Sequence, residues 1–409
     1  MTRTPDCKLP EVKPVPRAGY ATQVREYELI TPLYGGGATA QAADAVTVVR
    51  VPSIRGQLRF WWRACCGASA TGSIDGSIDD LRSREEAIWG MARSEGPTSS
   101  KVSLRLEVSD RGSERGADAF AGAAYAAFPL RESGNRLVSG VKFILKITYP
   151  TQYAADVAAA LWAWETFGGL GARTRRGFGA LRCVRVDKKD VPLPAGRREA
   201  EEAIRQGLAD HVADGTWHPN LPHLSKDMTF YRVTPQQTSA LEAWYSLLDK
   251  LKKFRQTRIS STPASPGRSQ WSEPDEIRRL THMSAPAHST PVVSVRKFPR
   301  AHFGLPIIFH FRRDAHRRGD PDDTTLQGSG TIDRLASPLI LRPLLCTDKH
   351  ACGLAAVLIA PRVPPGGLTL KPRRGGSWPV QADVTVAEAG HIKPLHGQTD
   401  VLQAFLSTL

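Results

Sequence analysis

The sequence predicts an α+β fold made of two ferredoxin-like units with insertions. The first unit is indicated by the order of elements in residues 20–187, which is strand, helix, strands, helix, glycine-rich loop, strand. The second is indicated by strand and helix patterns that begin near residue 228 and repeat the first order in divergent form. Because such an order lets helices cover one face of an antiparallel sheet, the other face is expected to be free for a ligand.

The elements of the first unit follow from the spacing of its apolar residues. Polar and apolar side chains alternate in three stretches, which predicts strands at residues 20–32, 101–108 and 138–149. Leu58, Trp61, Trp62 and Cys65 recur at helical spacing, so they predict a helix with one apolar face, and Ser53 is expected to cap it. A second helix over 151–167 and a last strand over 180–186 complete the unit.

The rest of the chain is predicted as a linker over residues 188–227 and a second domain over 228–409. The linker is expected to be partly helical, and residues 260–294, rich in Ser, Pro, Arg and His, are expected to form a mobile excursion. The periodicity of the second domain predicts strands and helices in turn: strand 228–233, helix 237–254, strands 303–311, 338–345 and 354–361, and a closing helix 401–406.

A glycine-rich loop with three arginines lies between the second helix and the last strand of the first unit, at residues 168–181 (GGLGARTRRGFGAL). Glycines free the main chain to approach a polyanion, and guanidinium groups match phosphate. No helix and no Lys-Ser/Thr end follow the loop, so it does not fit a nucleotide-binding P-loop. It predicts a site that grips the nucleic-acid backbone, built from Gly169, Gly171, Arg173, Arg175, Arg176, Gly177 and Gly179.

The first predicted helix carries a second basic feature. Arg55, Arg59 and Arg63 are four residues apart and form a ridge near a helix N-terminus, whose dipole also favours anions. Phosphate contact is one interpretation, above all for Arg55. The alternative is that the two tryptophans are core residues and the arginines are solvated.

The charge of the chain favours a polyanionic partner. Net charge is +15 over 409 residues, and such an excess of Lys and Arg repels itself unless something neutralises it. A membrane partner is disfavoured because no apolar run is long enough to span a bilayer. Residues 1–19 are polar and proline-rich without an apolar core, so no secretory signal is expected and a cytoplasmic location is predicted.

Cysteine usage predicts no disulfide framework, since six cysteines are scattered along the chain. Cys346, His350 and Cys352 have ligand-like spacing without an obvious fourth ligand, so a zinc site stays open there. No cofactor is predicted.

The sequence supports an enzymatic function less well than it supports nucleic-acid binding. A metal-dependent nuclease needs clustered carboxylates, and Asp320, Asp322 and Asp323 stand in a loop without a partner motif. Metal-independent RNA cleavage needs a positioned base and acid, and none of the eleven histidines has a distinguishing context. Neither a Gly-x-Ser-x-Gly elbow nor a Walker lysine is found.

Five sequence motifs resemble those of a known protein family. In chain order they are TPLYGGG at 31–37, PSIRGQLRFWWR at 52–63, GLG-x5-GFG at 169–179, FGLPI at 303–307 and RLASPLILR at 334–342. Together they resemble the RAMP superfamily, and more narrowly the family of first-numbered subunits of Cmr effector complexes in type III-B CRISPR systems. The PSIRG to WWR block is specific, whereas the glycine-rich loop indicates only the superfamily.

The resemblance implies two ferredoxin-like (RRM-like, RAMP) domains and a non-catalytic, RNA-binding role in antiviral defence. The partners that it implies are the 3′ portion of crRNA, target RNA and other Cmr/RAMP subunits. Two alternatives remain: a metal-independent endoribonuclease that processes CRISPR RNA, and a protein-interaction scaffold. Matching the motifs residue by residue adds Ser53, Arg55 and Gly56 to the loop residues as RNA contacts, and the ridge adds Arg59 and Arg63.

Overall fold

The computed structural model of the chain describes residues 18–35, 47–69, 77–92, 96–127, 137–259, 267–311, 319–347 and 349–409. Helices and antiparallel sheets are mixed throughout, as the predicted α+β class requires.

The first half forms one five-stranded antiparallel sheet with the strand order β2-β3-β1-β4-β5. Its strands are β1 (Tyr20–Leu29), β2 (Ser103–Arg115), β3 (Leu137–Pro150), β4 (Leu181–Val186) and β5 (Lys189–Asp190). Its helices are α1 (Val51–Cys66), α2 (Ser77–Trp89) and α3 (Ala154–Phe167). The predicted order of strand, helix, two strands, helix, loop and strand is confirmed.

Alternation along the strands decides which face of this sheet is covered. Phe143, Leu145 and Ile147 of β3 are fully buried, whereas Lys142 before them and Lys146 among them are exposed. Helices α1 and α3 pack together over the apolar face, and the four residues that predicted the apolar face of α1 are all buried. Among the described residues, the opposite face carries the exposed Lys142 and Lys146.

The second half divides its strands between two antiparallel sheets. One has the order β6-β10-β9 and the other β12-β11-β8-β7, so a second ferredoxin-like domain stays a prediction. The strands are β6 (Tyr231–Val233), β7 (Ile307–Phe309), β8 (Thr324–Gly328), β9 (Leu339–Leu345), β10 (Ala351–Val357), β11 (Leu368–Pro372) and β12 (Trp378–Val380). The helices are α4 (Arg197–His211), α5 (Ala240–Arg255), α6 (Glu273–Thr281), α7 (Val386–His391) and α8 (Val401–Leu406).

The two halves share their hydrophobic cores. Tyr231 and Leu354 of the second half pack into the core of the first sheet, whereas Tyr34 and Phe178 of the first half pack with Trp244 of α5. Within residues 188–227, helix α4 packs on α3, where Gly207 lies against Trp162. The division into two domains and a linker stays a prediction.

Two local predictions were wrong. Helix α1 begins at Val51 with Arg50 as its N-cap, so Ser53 lies inside the first turn; Pro52 suits this start because its missing N–H has no helical acceptor to lose. Residues 267–294 are not a loose excursion, since they contain α6 and bury Trp271 and Ile277 completely. The remainder of that excursion, residues 260–266, lies outside the described residues.

Strand lengths in the second half also differ from the prediction. Only Ile307–Phe309 of the stretch 303–311 is extended, and a short 3-10 helix, Pro299–Phe303, precedes it. The closing helix at 401–406 is confirmed.

Candidate nucleic-acid interface

The glycine-rich loop between α3 and β4 is packed against the protein itself. A Cβ added to Gly179 would lie 2.0 Å from the Leu170 carbonyl oxygen, and one added to Gly177 would lie 2.4 Å from Trp244 Nε1. Both residues also have positive φ, 59° and 84°. These glycines are therefore required by internal packing.

Most main-chain N–H groups of the loop are already bonded within the protein. Leu170 donates to Gly179, Ala172 to Tyr34 and Gly179 to Pro32, at 2.7 to 2.9 Å. The N–H groups without an acceptor among the described residues include those of Thr174 and Arg175, which follow Arg173 in the left-handed conformation. A left-handed residue followed by helical ones forms a concave set of N–H donors suited to an anion. This turn is the part of the loop whose main-chain geometry fits the predicted grip on a nucleic-acid backbone.

Arg176 connects the loop to the second half. Its Nη1 donates to the Leu339 carbonyl at 2.8 Å and its Nη2 to Ser337 Oγ at 2.9 Å. Trp244 Nε1 in turn donates to the Arg176 carbonyl at 2.6 Å. Burial, reinforced by the positive charge of Arg255, lowers the pKa of Arg176 to about 9, so the guanidinium stays charged at neutral pH.

Arg173 and Arg175 are also anchored by carbonyl groups. Arg175 donates to the Ser337 carbonyl and lies 5.4 Å over the ring of Phe60 in α1. Arg173, whose surface is partly open to solvent, donates from Nη1 to the Ala126 carbonyl at 2.8 Å. Burial of Arg175 and partial desolvation of the Arg173 guanidinium lower the pKa of both groups.

We call Arg173, Arg175, Arg176 and Arg255 the arginine cluster. Arg255, from the last turn of α5, lies 5.3 Å over the ring of Phe303, whose carbonyl is 3.5 Å from Arg176 Nη2. Within the part of the chain that the structure describes, no carboxylate forms an ion pair with any of the four. Four cations without a counter-charge create a positive potential that an incoming anion would neutralise.

The basic ridge of α1 separates into paired and unpaired residues. Arg59 Nε and Arg63 Nη1 both donate to Glu85 Oε1 at 2.6 Å, and Glu85 is buried. Arg55 has no hydrogen-bond or ion-pair partner among the described residues, and it lines a depression of about 380 Å³ with Pro52 and Gly56. The solvated alternative thus fails for Arg59 and Arg63, which serve an ion pair, whereas Arg55 remains available to a ligand.

Gly56 differs from the loop glycines. It is exposed on α1, and a Cβ built on it would meet no atom within 4 Å. Glycine inside a helix costs stability relative to alanine, so its presence where alanine would fit suits close approach of another molecule.

The five sequence motifs meet at the boundary between the two halves, which we call the seam. Thr31 Oγ1 donates to the Gly177 carbonyl at 2.6 Å, Phe60 lies under Arg175, and Ser337 contacts both Arg175 and Arg176. Arg342, which is 1% exposed, donates to the Glu165, Gly168 and Leu181 carbonyls at 2.8 to 2.9 Å. The last two glycines of TPLYGGG lie outside the described residues. The motifs thus hold the halves together as well as present cations.

Two residues of the seam, Arg255 and Thr174, were not predicted from the sequence as site residues. Arg255 belongs to a basic group at the end of α5, which the helix dipole explains without any ligand. Thr174 carried no signal because its importance comes from a main-chain N–H group.

The candidate zinc ligands Cys346, His350 and Cys352 do not come together as a metal site among the described residues. Cys346 Sγ lies 3.2 Å from Cys352 Sγ, but the nearby His350 is exposed and contacts Thr347. No group of three His, Cys, Asp or Glu side chains suited to a metal occurs among the described residues. In the same ranges, none of the helices is long and apolar enough to cross a membrane.

The Asp320 carboxylate is committed to a structural network. It accepts from Arg278 Nε at 2.9 Å and lies 2.7 Å from His288 Nδ1. These hydrogen bonds overcome the cost of burial and lower the pKa of Asp320 to about 2. It is therefore not part of an acidic cluster with its neighbours in sequence.

Comparison with known proteins identifies related sequences over part of the chain. The family model of the RAMP superfamily matches residues 26–182. The CRISPR system Cmr subunit Cmr1-1 of Pyrococcus furiosus is 26% identical over 156 residues, which are 34% of this chain and 42% of that protein. The match therefore spans less than half of that relative's length. The resemblance to the superfamily that the motifs predict is confirmed.

Two solved structures are similar at low identity. The crystal structure of apo Cmr1 from Pyrococcus furiosus has a TM-score of 0.47 and 16% identity, covering 95% of this chain and 96% of that one. One chain of a cryo-EM structure of the type III-B Cmr-beta complex bound to cognate target RNA has a TM-score of 0.48 and 11% identity, covering 84% and 96%.

Proposed function

We propose that this chain, whose residues 26–182 match the RAMP-superfamily model, is a non-catalytic RNA-binding subunit of a type III-B CRISPR (Cmr) ribonucleoprotein complex. In this proposal it contacts the 3′ portion of crRNA and target RNA in antiviral defence, beside other Cmr/RAMP subunits. The name of the relative, a Cmr subunit, supports the assignment to that complex.

The observation that carries the RNA-binding proposal is the uncompensated arginine cluster. Its guanidinium groups are held in place by carbonyl groups and aromatic rings, so little conformational entropy is lost when a phosphate arrives. The free N–H groups of Thr174 and Arg175 add two donors beside Arg173. Contacts of this kind bind phosphate without reading sequence.

The first turns of α1 extend this surface. Phe60 joins α1 to Arg175, and Arg55 with Gly56 lies one to two turns closer to the helix start. The first turn contains no acidic residue that would repel phosphate. We therefore place RNA along the seam, over α1 and the loop.

The open face of the first sheet is a poorer RNA surface. Its outward residues between Thr22 and Glu28 and between Lys142 and Thr148 include no aromatic side chain on which a base could stack. Glu26 and Glu28 are paired with Arg185 and Arg182, at 3.2 and 3.3 Å. The sheet face carries the exposed Lys142 and Lys146 but lacks the aromatic stacking platform that an RRM-like mode needs.

A fluorescence-anisotropy titration tests the proposal with the double variant Arg55→Gln plus Arg173→Gln. Both side chains reach solvent and neither holds a buried carboxylate, so the variant is expected to fold. Affinity for unrelated RNA sequences should fall alike, and the slope of log K against log salt should fall by about two, about one for each lost phosphate contact.

Arg205→Gln is the matched control, since Arg205 is an exposed cation of α4 paired with Glu202. It should leave RNA affinity unchanged. If the double variant binds RNA as tightly as the wild type with the same salt slope, the seam is not the RNA site.

Incubating the full chain with labelled CRISPR repeat RNA, with and without EDTA, distinguishes the endoribonuclease alternative from non-catalytic RNA binding. The proposal predicts intact RNA in both samples. A defined cut that survives EDTA and disappears in a denatured control would replace it with the endoribonuclease.

A further inference from the structure

A second basic pocket lies in the second half, beyond the end of α5 and against α6 and β7. It has a volume of about 310 Å³, and its lining includes Arg258, Arg268, Arg278, Arg300 and His310 with one carboxylate, Asp320. Neither the RAMP match nor any of the five motifs assigns a role to these arginines. The pocket is thus a surface that the proposed function leaves unexplained.

Buried carboxylates lie behind the arginines and fix their orientation. Asp275 Oδ1 accepts from Arg268 Nη2 at 2.5 Å and from Arg278 Nη1 at 2.9 Å. Asp320 accepts from Arg278 through both oxygens, at 2.9 and 3.1 Å. The two carboxylate side chains are 5% and 3% exposed, so they hold the guanidinium groups from below.

Aromatic rings and carbonyl groups complete the support. Arg300 lies 5.2 Å over the ring of Phe309 and 5.5 Å over that of Trp271, and its Nη1 donates to the Arg255 carbonyl at 2.9 Å. Arg278 lies 5.2 Å over Phe311. Guanidinium groups stacked on rings and pinned by hydrogen bonds are preorganised for a planar, multidentate partner.

The pocket retains donor capacity. Arg268 Nε is buried and donates to no acceptor among the described residues. A buried donor left without an acceptor is costly, so a ligand oxygen that reaches it gains binding free energy. The four arginines face three buried carboxylates, Asp275, Asp320 and Glu273, of which Glu273 lies 3.2 Å from Arg300 Nε, so one positive charge is left in excess. Phosphate offers a negative charge to match it and several acceptor oxygens, which a neutral ligand does not.

We propose that this pocket is a second anion site that binds a phosphate group. Its position favours RNA as the source. The Arg255 side chain belongs to the arginine cluster while the Arg255 carbonyl holds Arg300 in the pocket, so the two sites adjoin through one residue. Phosphate binding here does not rest on the proposed function, because it is carried by different arginines.

Isothermal titration calorimetry on the full chain tests this with four probes: inorganic phosphate, adenosine 5′-monophosphate, adenosine, and a trinucleotide RNA, all at matched ionic strength. Phosphate-bearing probes should bind and adenosine should not. Arg258→Gln, at an exposed position, and Arg300→Lys, which keeps the charge but loses the fork, should each weaken phosphate binding by about tenfold.

The ranking of probes identifies the source of the phosphate. A trinucleotide that binds at least about tenfold tighter than the monophosphate indicates an RNA strand, whereas equal affinity indicates a free nucleotide or phosphate. In the Arg55→Gln plus Arg173→Gln background, Arg258→Gln and Arg300→Lys should still weaken binding of the monophosphate by about tenfold, which keeps the two sites distinguishable. The proposal is overturned if no phosphate-bearing probe binds the wild type, or if Arg258→Gln and Arg300→Lys bind the monophosphate unchanged.

Discussion

The glycine-rich loop and the first turns of α1 look alike in sequence but differ in the structure. Both combine glycine with arginine, and both resemble phosphate-binding elements. In the loop, Gly177 and Gly179 are required by atoms of the same chain, whereas Gly56 of α1 faces empty space. Glycine and arginine in a sequence thus mark close approach, but they do not say whether the approaching group is internal or a partner.

The arginines follow the same division. Arg176 holds carbonyl groups of the second half, and Arg59 and Arg63 hold Glu85. The half-buried Arg55 and the exposed Arg173 pair with no carboxylate among the described residues. Arginines that stabilise the fold and arginines available to a ligand therefore lie within a few residues of each other. Substitutions can distinguish them, because the first group should affect stability and the second RNA affinity.

The largest effect is expected from Gly179→Ala. Its Cβ would collide with the Leu170 carbonyl at 2.0 Å, in addition to the strain of a φ of 59°. The free energy of unfolding should fall by at least about 3 kcal/mol, measured by urea denaturation.

Gly140→Ala is the matched control for that substitution. Gly140 has a φ of 79° but no atom within 4 Å of its Cβ, so it reports the backbone strain alone, about 1 to 2 kcal/mol. Equal losses for the two variants would show that the loop is not packed against its own chain.

Arg176→Met should have the next largest effect. The substitution keeps the apolar stem but leaves the Leu339 carbonyl without its donor and removes the bond to Ser337. A loss of about 2 kcal/mol is expected in the free energy of unfolding, against less than about 1 kcal/mol for Arg173→Met, which loses a single bond from a solvent-exposed side chain. Thermal unfolding of the two variants side by side checks this, and the reverse ranking would refute the structural role of Arg176.

The smallest effect on stability is expected from Gly56→Ala, and its sign is opposite. Alanine fits the open space in α1 and should raise the free energy of unfolding by about 0.5 to 1 kcal/mol. The same methyl group should weaken RNA binding, because Gly56 lines the same depression as Arg55. A more stable variant with unchanged RNA affinity would remove Gly56 from the interface.

Much of the fold could be predicted because long periodic segments carry a strong signal. Helix α3 and strands β1, β3 and β4 were predicted to within three residues at each end. Strands β8, β11 and β12 were missed because three to five residues are too few to show a period. The Ser- and Pro-rich composition around α6 suggested a mobile segment, yet Asp275 and Asp320 pair with its arginines and allow it to pack.

The sequence predicted which motifs form the site, but not how their side chains contact one another. Residue types and order indicated the superfamily and pointed to the loop and α1. That Arg176 would face Ser337 and Leu339 could not be predicted, because those contacts join segments more than 150 positions apart in sequence. Nor could the pairing of Arg59 and Arg63 with Glu85, since it depends on how α2 packs against α1.

The central claim is that RNA lies along the seam between α1 and the loop and not on the open sheet face. Photocrosslinking of 4-thiouridine RNA to the full chain, followed by mass spectrometry of the peptides, tests it most directly. The account predicts crosslinks in the first turns of α1, around Arg55, and in the loop around Arg173 and Thr174. Crosslinks concentrated on β3 around Lys142 and Lys146, with none at the seam, would contradict it.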